Sequence, residues 1–210
     1  MLRDQNQDPA APPGVIIAGG LGSRIGGNKP FAELRGEPLL AHMIDRLAPQ
    51  CGALAINVAE TDPMIAQFGL PLIRDPDDSR PGPLAGIATA LRWARDALEA
   101  ERVVTVPVDA PLLPPDFVAR LLASSGPARI ARSAGQPHPV AALFDVALLD
   151  GLETFLKQDR RRAMMGWLDR VGATIVDFDP VVVGGEMVDP FFNVNTTTDL
   201  ERAERLLSKR

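Results

Sequence analysis

The stretch Gly14-Val15-Ile16-Ile17-Ala18, followed at once by Gly19-Gly20-Leu21-Gly22-Ser23-Arg24-Ile25-Gly26-Gly27-Asn28-Lys29, decides the fold. The first five residues form a short apolar run, rich in β-branched side chains and without polar alternation. Such a run predicts a strand buried on both faces, which a parallel sheet requires. Similar runs recur at residues 53–58 and 103–106, with a weaker one at 71–73. Helical stripes lie between and after them: Leu39, Leu40, Met43, Ile44 and Leu47, then Leu84, Ile87, Ala88, Leu91, Ala94 and Leu98, then Phe117, Leu121 and Leu122. Strand alternating with helix predicts an α/β domain with right-handed crossovers, in three layers around a mostly parallel sheet. Further on, the pattern predicts strands at 140–144 and 174–178, and helices near 146–157, 161–171 and 199–208. No linker or repeat divides the chain, so residues 14–210 are expected to form one domain. Residues 1–13, polar and rich in Pro and Ala, are expected to be a frayed tail without the apolar run of a secretory signal.

Composition narrows the function. The chain has 210 residues, with 22 Lys+Arg against 27 Asp+Glu, a net charge of −5. An acidic average disfavours nucleic acid as a partner, because affinity for its backbone comes from surplus Lys and Arg. Cys51 is the single cysteine and there are two histidines, so an internal disulfide and a Cys-clustered zinc site are excluded. No apolar run approaches the roughly 20 residues that span a bilayer. The expectation is a cytoplasmic protein without membrane contact.

In an open parallel sheet, ligands bind beyond the carboxyl ends of the strands. Polar or Gly-rich segments follow the predicted strands at residues 19–29, at Asn57, at 74–86 and at 108–115. The first has five glycines in nine residues, so backbone N–H groups can converge on an anion while Arg24 and Lys29 add charge. It is neither the dinucleotide fingerprint nor a P-loop: no glycine follows Gly22 at the required spacing, and Asn28 and Pro30 break the Gly-Lys-Ser/Thr order. A flexible surface turn is its plain alternative. In the segment Asp75 to Gly86, Asp75 stands directly after a strand, whereas Asp77 and Asp78 read as solvated loop residues. Asp109, after the strand at 103–106, is placed either to hold a hard divalent cation or to cap a turn. Phe191-Phe192-Asn193-Val194-Asn195-Thr196 sets two amides on one face of a strand-like segment. His42 falls on the polar side of its helix and is expected to face solvent. His138, between two prolines, reads as a turn residue that could line a pocket but has no partners for a catalytic triad. Arg160-Arg161-Arg162 reads as a solvated helix start or as a receiver for an anionic substrate.

Taken together, Ile17-Ala18-Gly19-Gly20, Ser23-Arg24-Ile25-Gly26-Gly27 and Lys29 resemble the signature of the MobA-type nucleotidyltransferases, the molybdenum cofactor guanylyltransferase family. Pro81-Gly82-Pro83-Leu84-Ala85-Gly86, Val108-Asp109-Ala110-Pro111, Asn193-Val194-Asn195-Thr196, His138-Pro139 and Arg160-Arg161 fit the same family. The resemblance runs from about residue 14 to the C-terminus. It implies a Rossmann-like nucleotidyltransferase fold and transfer of GMP from GTP to the phosphate of molybdopterin, with release of pyrophosphate. Carried over, Ile17, Ala18, Gly19, Asn57 and Asp75 would hold the guanine nucleotide and Lys29 its phosphates. Asp109 would bind Mg²⁺, and Arg24, Lys29 and Asp109 would carry the catalysis. Two departures stand out: Gly26-Gly27-Asn28-Lys29 is one residue shorter than the family's Gly-Gly-x-Asp-Lys, and Thr197 replaces a common Pro. The alternatives are a related enzyme using CTP or another phosphorylated acceptor, and an inactive nucleotide-binding partner protein. Transient contact with cofactor-insertion proteins or apo-molybdoenzymes would fit a labile product.

Overall fold

The protein is described here by a computed structural model, which covers residues 11–19, 29–60, 62–75, 82–158 and 163–208. In chain order the strands and helices are β1 (Gly14–Ile17), β2 (Glu33–Leu34), β3 (Glu37–Pro38), α1 (Leu39–Leu47), β4 (Leu54–Val58), α2 (Pro63–Ala66), β5 (Leu72–Arg74), α3 (Pro83–Leu98) and β6 (Arg102–Pro107). They continue with α4 (Phe117–Leu122), β7 (Ala128–Ser133), β8 (Gln136–Asp145), α5 (Leu149–Gln158), α6 (Met164–Arg170), β9 (Thr174–Phe178), β10 (Val181–Val183), β11 (Glu186–Val188) and α7 (Thr197–Ser208).

Seven strands form the main sheet in the order β5-β4-β1-β6-β8-β7-β9. The β5-β4-β1-β6 half is parallel. β8 runs antiparallel to both β6 and β7, and β7 and β9 are parallel, so β8 alone opposes the rest. The continuous apolar runs are explained by alternate residues serving different layers. In β1, Ile16 packs with Leu40, Met43 and Leu47 of α1 and with Phe117 and Leu121 of α4. Its neighbour Val15 points the other way, among Leu84, Ile87 and Leu91 of α3, Leu152 of α5 and Trp167 of α6. Helix, sheet and helix make the expected three layers. A small third core joins Leu34 of β2, Leu39 of α1, Ala203 of α7 and Val194, which precedes that helix.

At the amino end of the sheet, Gly14 is packed so closely that a Cβ would come 2.7 Å from Cys51 Sγ. Burial pushes the Cys51 thiol up to about 12, which leaves it unreactive at neutral pH. A cavity of about 490 Å³ opens at this same end, lined by Pro12, Pro13, Gly52, Leu98, Arg102 and Leu122. It lies at the opposite pole from the chemistry-bearing residues.

Most predicted elements lie within a few residues of their expected places, and several details differ. β7 shows no strand-like run in the sequence, because Arg129 and Arg132 interrupt its apolar pattern. Arg129 is nonetheless buried in the sheet, where its guanidinium reaches Asp145 at 3.3 Å. The helix expected from residue 146 starts as a 3-10 turn over Val146–Leu148 and becomes α-helical at Leu149. Residues 1–10, most of the expected tail, lie outside the described residues.

Candidate active site

The carboxyl end of β1 is the centre of the site. Ile17 stands between Asn57 of β4 and Pro107 of β6 in the sheet register. Its carbonyl accepts from Val108 N at 3.2 Å, and Ala18 N donates to the Asn57 carbonyl at 2.9 Å. The backbone from Ile17 to Gly19 is thus fixed across the mouth of three strands. At Gly19 a Cβ would lie 3.2 Å from Ala59 N and 3.4 Å from Asn57 Oδ1, so the tight approach favours glycine there.

On the β4 side, Asn57 lies inside the strand, within the run 53–58 that predicts it. It shares the face of Ala55, which turns toward α3, and is buried. Gly86, in the first turns of α3, makes room: a Cβ there would come 2.7 Å from Asn57 Oδ1. Asn57 Nδ2 donates to the Ile73 carbonyl at 3.3 Å and to Asp75 Oδ1 at 3.0 Å. Thr89 Oγ1, also from α3, donates to the same Asp75 oxygen at 2.6 Å. Two donors on one oxygen fix the plane of the carboxylate and leave Asp75 Oδ2 without a bond from the described residues.

Across β1, Lys29 opens a 3-10 turn (Lys29–Phe31), and its ammonium donates to Asp109 Oδ2 and, at 2.6 Å, to Asn195 Oδ1. Asp109 follows β6, and its carbonyl accepts from Val194 N at 2.9 Å. Its other carboxylate oxygen, Oδ1, is buried and has no hydrogen-bond partner among the described residues. A buried, unpaired carboxylate oxygen is costly, and a cation or a ligand donor would satisfy it. Among the described residues no three His, Cys, Asp or Glu converge to make a closed metal cage. A hard cation held by one carboxylate and completed by substrate phosphates needs no such cage, so the donor set fits Mg²⁺.

Of the residues expected at the site, Ile17, Ala18, Gly19, Asn57 and Asp75 gather on one side and Lys29 and Asp109 on the other. Arg24, with the rest of residues 20–28, lies outside the described residues, as do Asp77, Asp78 and Arg160 to Arg162. Phe191 to Thr196 is not a strand, yet Asn193 and Asn195 are both exposed with Val194 buried between them. His42 does not simply face solvent: it is half-buried, with Nε2 2.7 Å from the Leu34 carbonyl. His138 is not in a turn but in β8, and it has the partners that the sequence did not reveal, Ser133 and Asp189. Thr89 also went unnoticed. Its signal was a hydroxyl within the apolar stripe between Ala88 and Ala90.

The MobA-like NTP transferase domain family matches residues 14–171. The molybdenum cofactor guanylyltransferase of Rhodopseudomonas palustris (strain BisB5) is 43% identical over 205 residues, 95% of each chain. That of Rhizobium meliloti (strain 1021) is 42% identical over 201 residues, covering 93% of this chain and 92% of the relative. The crystal structure of molybdopterin-guanine dinucleotide biosynthesis protein A from Archaeoglobus fulgidus superposes with a TM-score of 0.74 at 23% identity. That match covers 94% of this chain and all of the other, and it supports the fold. A domain match over most of the chain, with relatives above 40% identity along nearly its full length, establishes that the chain belongs to the MobA-like NTP transferase family.

Proposed function

We propose that this chain transfers GMP from GTP to the phosphate of molybdopterin in the cytoplasm, releasing pyrophosphate and forming the guanine dinucleotide cofactor. The observation that carries the reading is the pairing of Lys29 with Asp109 beside the Ile17–Gly19 backbone, with one Asp109 oxygen buried and unpartnered among the described residues. The names of the relatives supply the substrates. The Asp75 carboxylate, an acceptor-only group, suits guanine, which presents N1–H and its 2-amino group side by side. Cytosine offers one amino donor beside a ring acceptor and fits it less well.

The chemistry needs no protein nucleophile. An oxygen of the acceptor phosphate attacks the α-phosphorus of GTP, the bond from that phosphorus to the bridging oxygen breaks, and pyrophosphate leaves with the electron pair. The protein aligns the two phosphates and neutralises charge. Lys29 Nζ, held between Asp109 and Asn195, is placed to donate to phosphate oxygens, with Arg24 assigned the same task by its motif. The Ile17–Gly19 backbone and the Asn57–Asp75 pair orient the nucleoside. Asp109 would hold Mg²⁺, which when bound supplies further positive charge at the phosphates.

A nucleotide panel tests the reading. With molybdopterin and Mg²⁺, pyrophosphate should be released with GTP and at least about tenfold more slowly with CTP, ATP or UTP. Preference for CTP would overturn the guanylyl assignment. Release with none of the four would overturn the transferase activity itself.

A further inference from the structure

We propose that Ser133, His138 and Asp189 form a positioning cluster that sets the place of Asn195, and through it of Lys29 and Asp109; this rests on the transfer reading of that site. The three residues come from three elements: Ser133 ends β7, His138 stands opposite Ala131 near the start of β8, and Asp189 follows β11. Because β8 runs against β6, its first residues lie at the same end of the sheet as Asp109.

The hydrogen bonds have a direction. Ser133 Oγ donates to Asp189 Oδ1 at 2.5 Å and lies 2.7 Å from His138 Nε2. A hydroxyl carries one proton, so with that proton on the carboxylate the second contact requires His138 Nε2–H to donate to Oγ. Burial holds the His138 pKa below its ordinary value, against the pull of the Asp189 charge. The ring is therefore neutral at neutral pH, with its proton on Nε2. Asp189 Oδ1 also accepts from Phe191 N at 2.8 Å. Imidazole and hydroxyl thus donate in series to the Asp189 carboxylate, which also accepts from the backbone of the segment that leads to Asn195. The same direction disqualifies Ser133 as a nucleophile: its proton faces a carboxylate instead of a basic nitrogen, and the residue is 2% exposed.

The chain is reinforced by packing. The Phe191 ring stacks on His138 at 4.7 Å and meets Phe178 and Phe117 edge-on at 5.1 and 5.8 Å. Residues 189–195 are in this way pinned at their start by Ser133 and His138. At their end Val194 N donates to the Asp109 carbonyl, and Asn195 Oδ1 accepts from Lys29. Aromatic burial alone would hold Phe191 inside. The directional bonds add the register that places Asn195 against the lysine, and group transfer is sensitive to displacements of that size.

The test uses the full chain with GTP, Mg²⁺ and molybdopterin. Ser133→Ala removes the middle of the relay, and His138→Phe keeps the stacked ring but loses the donor. His138→Gln restores an N–H donor. Ser133→Ala and His138→Phe should each lower kcat by about 10- to 100-fold. KM for GTP should stay within about twofold, GTP should still bind one per chain, and His138→Gln should recover to within about threefold of the parent kcat. Three results would each overturn the proposal. These are a parent-like kcat in both disrupting variants, a loss of GTP-binding sites matching the loss of rate, and a His138→Gln variant as slow as His138→Phe. If Lys29→Ala also left the rate untouched, the transfer reading of the site would fail as well, which separates the two.

Discussion

Asp75 shows how one side chain's role is set by its neighbours. Asn57 and Thr89 both donate to Oδ1, which orients the carboxylate before any ligand arrives. Thr89 is almost fully buried, and Val is close to it in shape. Thr89→Val should therefore remove one bond to a charged acceptor with little disturbance of packing. Such bonds are worth roughly 1.5–3 kcal/mol, so KM for GTP should rise about tenfold or more with kcat little changed. Steady-state kinetics checks this, and a KM equal to that of the parent would show that Thr89 does not orient the base-binding group. Asp75 and Asp109 were legible in the sequence because each is an acid directly after a buried apolar run. Thr89, Ser133 and Asp189 were not. Their partners lie 14, 5 and 56 residues away for Asp75, His138 and Ser133 respectively, and only the folded sheet brings them together.

The elements that carry the site are fixed largely at their ends. α7 (Thr197–Ser208) begins with a capping box: Asp199 N donates to Thr196 Oγ1 at 3.1 Å, and Asp199 Oδ2 accepts from Thr196 N at 2.8 Å. The same carboxylate accepts from Asn195 N at 3.0 Å, so the helix cap also anchors the amide that meets Lys29. Partial desolvation works to raise the Asp199 pKa, but the hydrogen bonds from Thr196 and Asn195 and the charge of Arg202 prevail and hold it below 3.8. A carboxyl depressed in the folded state stabilises above its unfolded value and loses that contribution as pH falls through the folded one. Asp199→Ala should cost about 1 kcal/mol at pH 7, a fall of roughly 2–4 °C in Tm, with the gap between the two proteins narrowing as the pH falls below the ordinary carboxylate value. Thermal unfolding at several pH values measures it, and a gap that persists unchanged into acid would contradict the capping role. β7 and the β10–β11 hairpin show the limit of pattern reading. The first hides its burial behind two arginines that find Asp145 and Asp177, and the second has strands too short to show a period.

Across the whole chain, the sheet's parallel half was readable from its apolar runs, while β8's reversal was not, since an apolar strand carries no mark of direction. That reversal matters, because it brings His138 to the end of the sheet where Asp109 lies. The site therefore divides along the strand order, with Asn57 and Asp75 on the β4–β5 side of β1 and Lys29, Asp109 and Asn195 on the β6 side. The seven-stranded sheet, the glycine-linked backbone after β1 and the acidic net charge of −5 are consistent with a phosphate-handling enzyme whose positive groups are local. Among the described residues no helix is long and apolar enough to cross a membrane. The most direct test follows the atoms: GTP labelled at the α-phosphate is incubated with the protein, molybdopterin and Mg²⁺, and the products are separated. The label should move into the molybdopterin product and unlabelled pyrophosphate should appear in equal amount, with Lys29→Ala slower by about 10²- to 10³-fold. Label remaining in GTP, or recovered only as free GMP or GDP, would contradict transfer to molybdopterin.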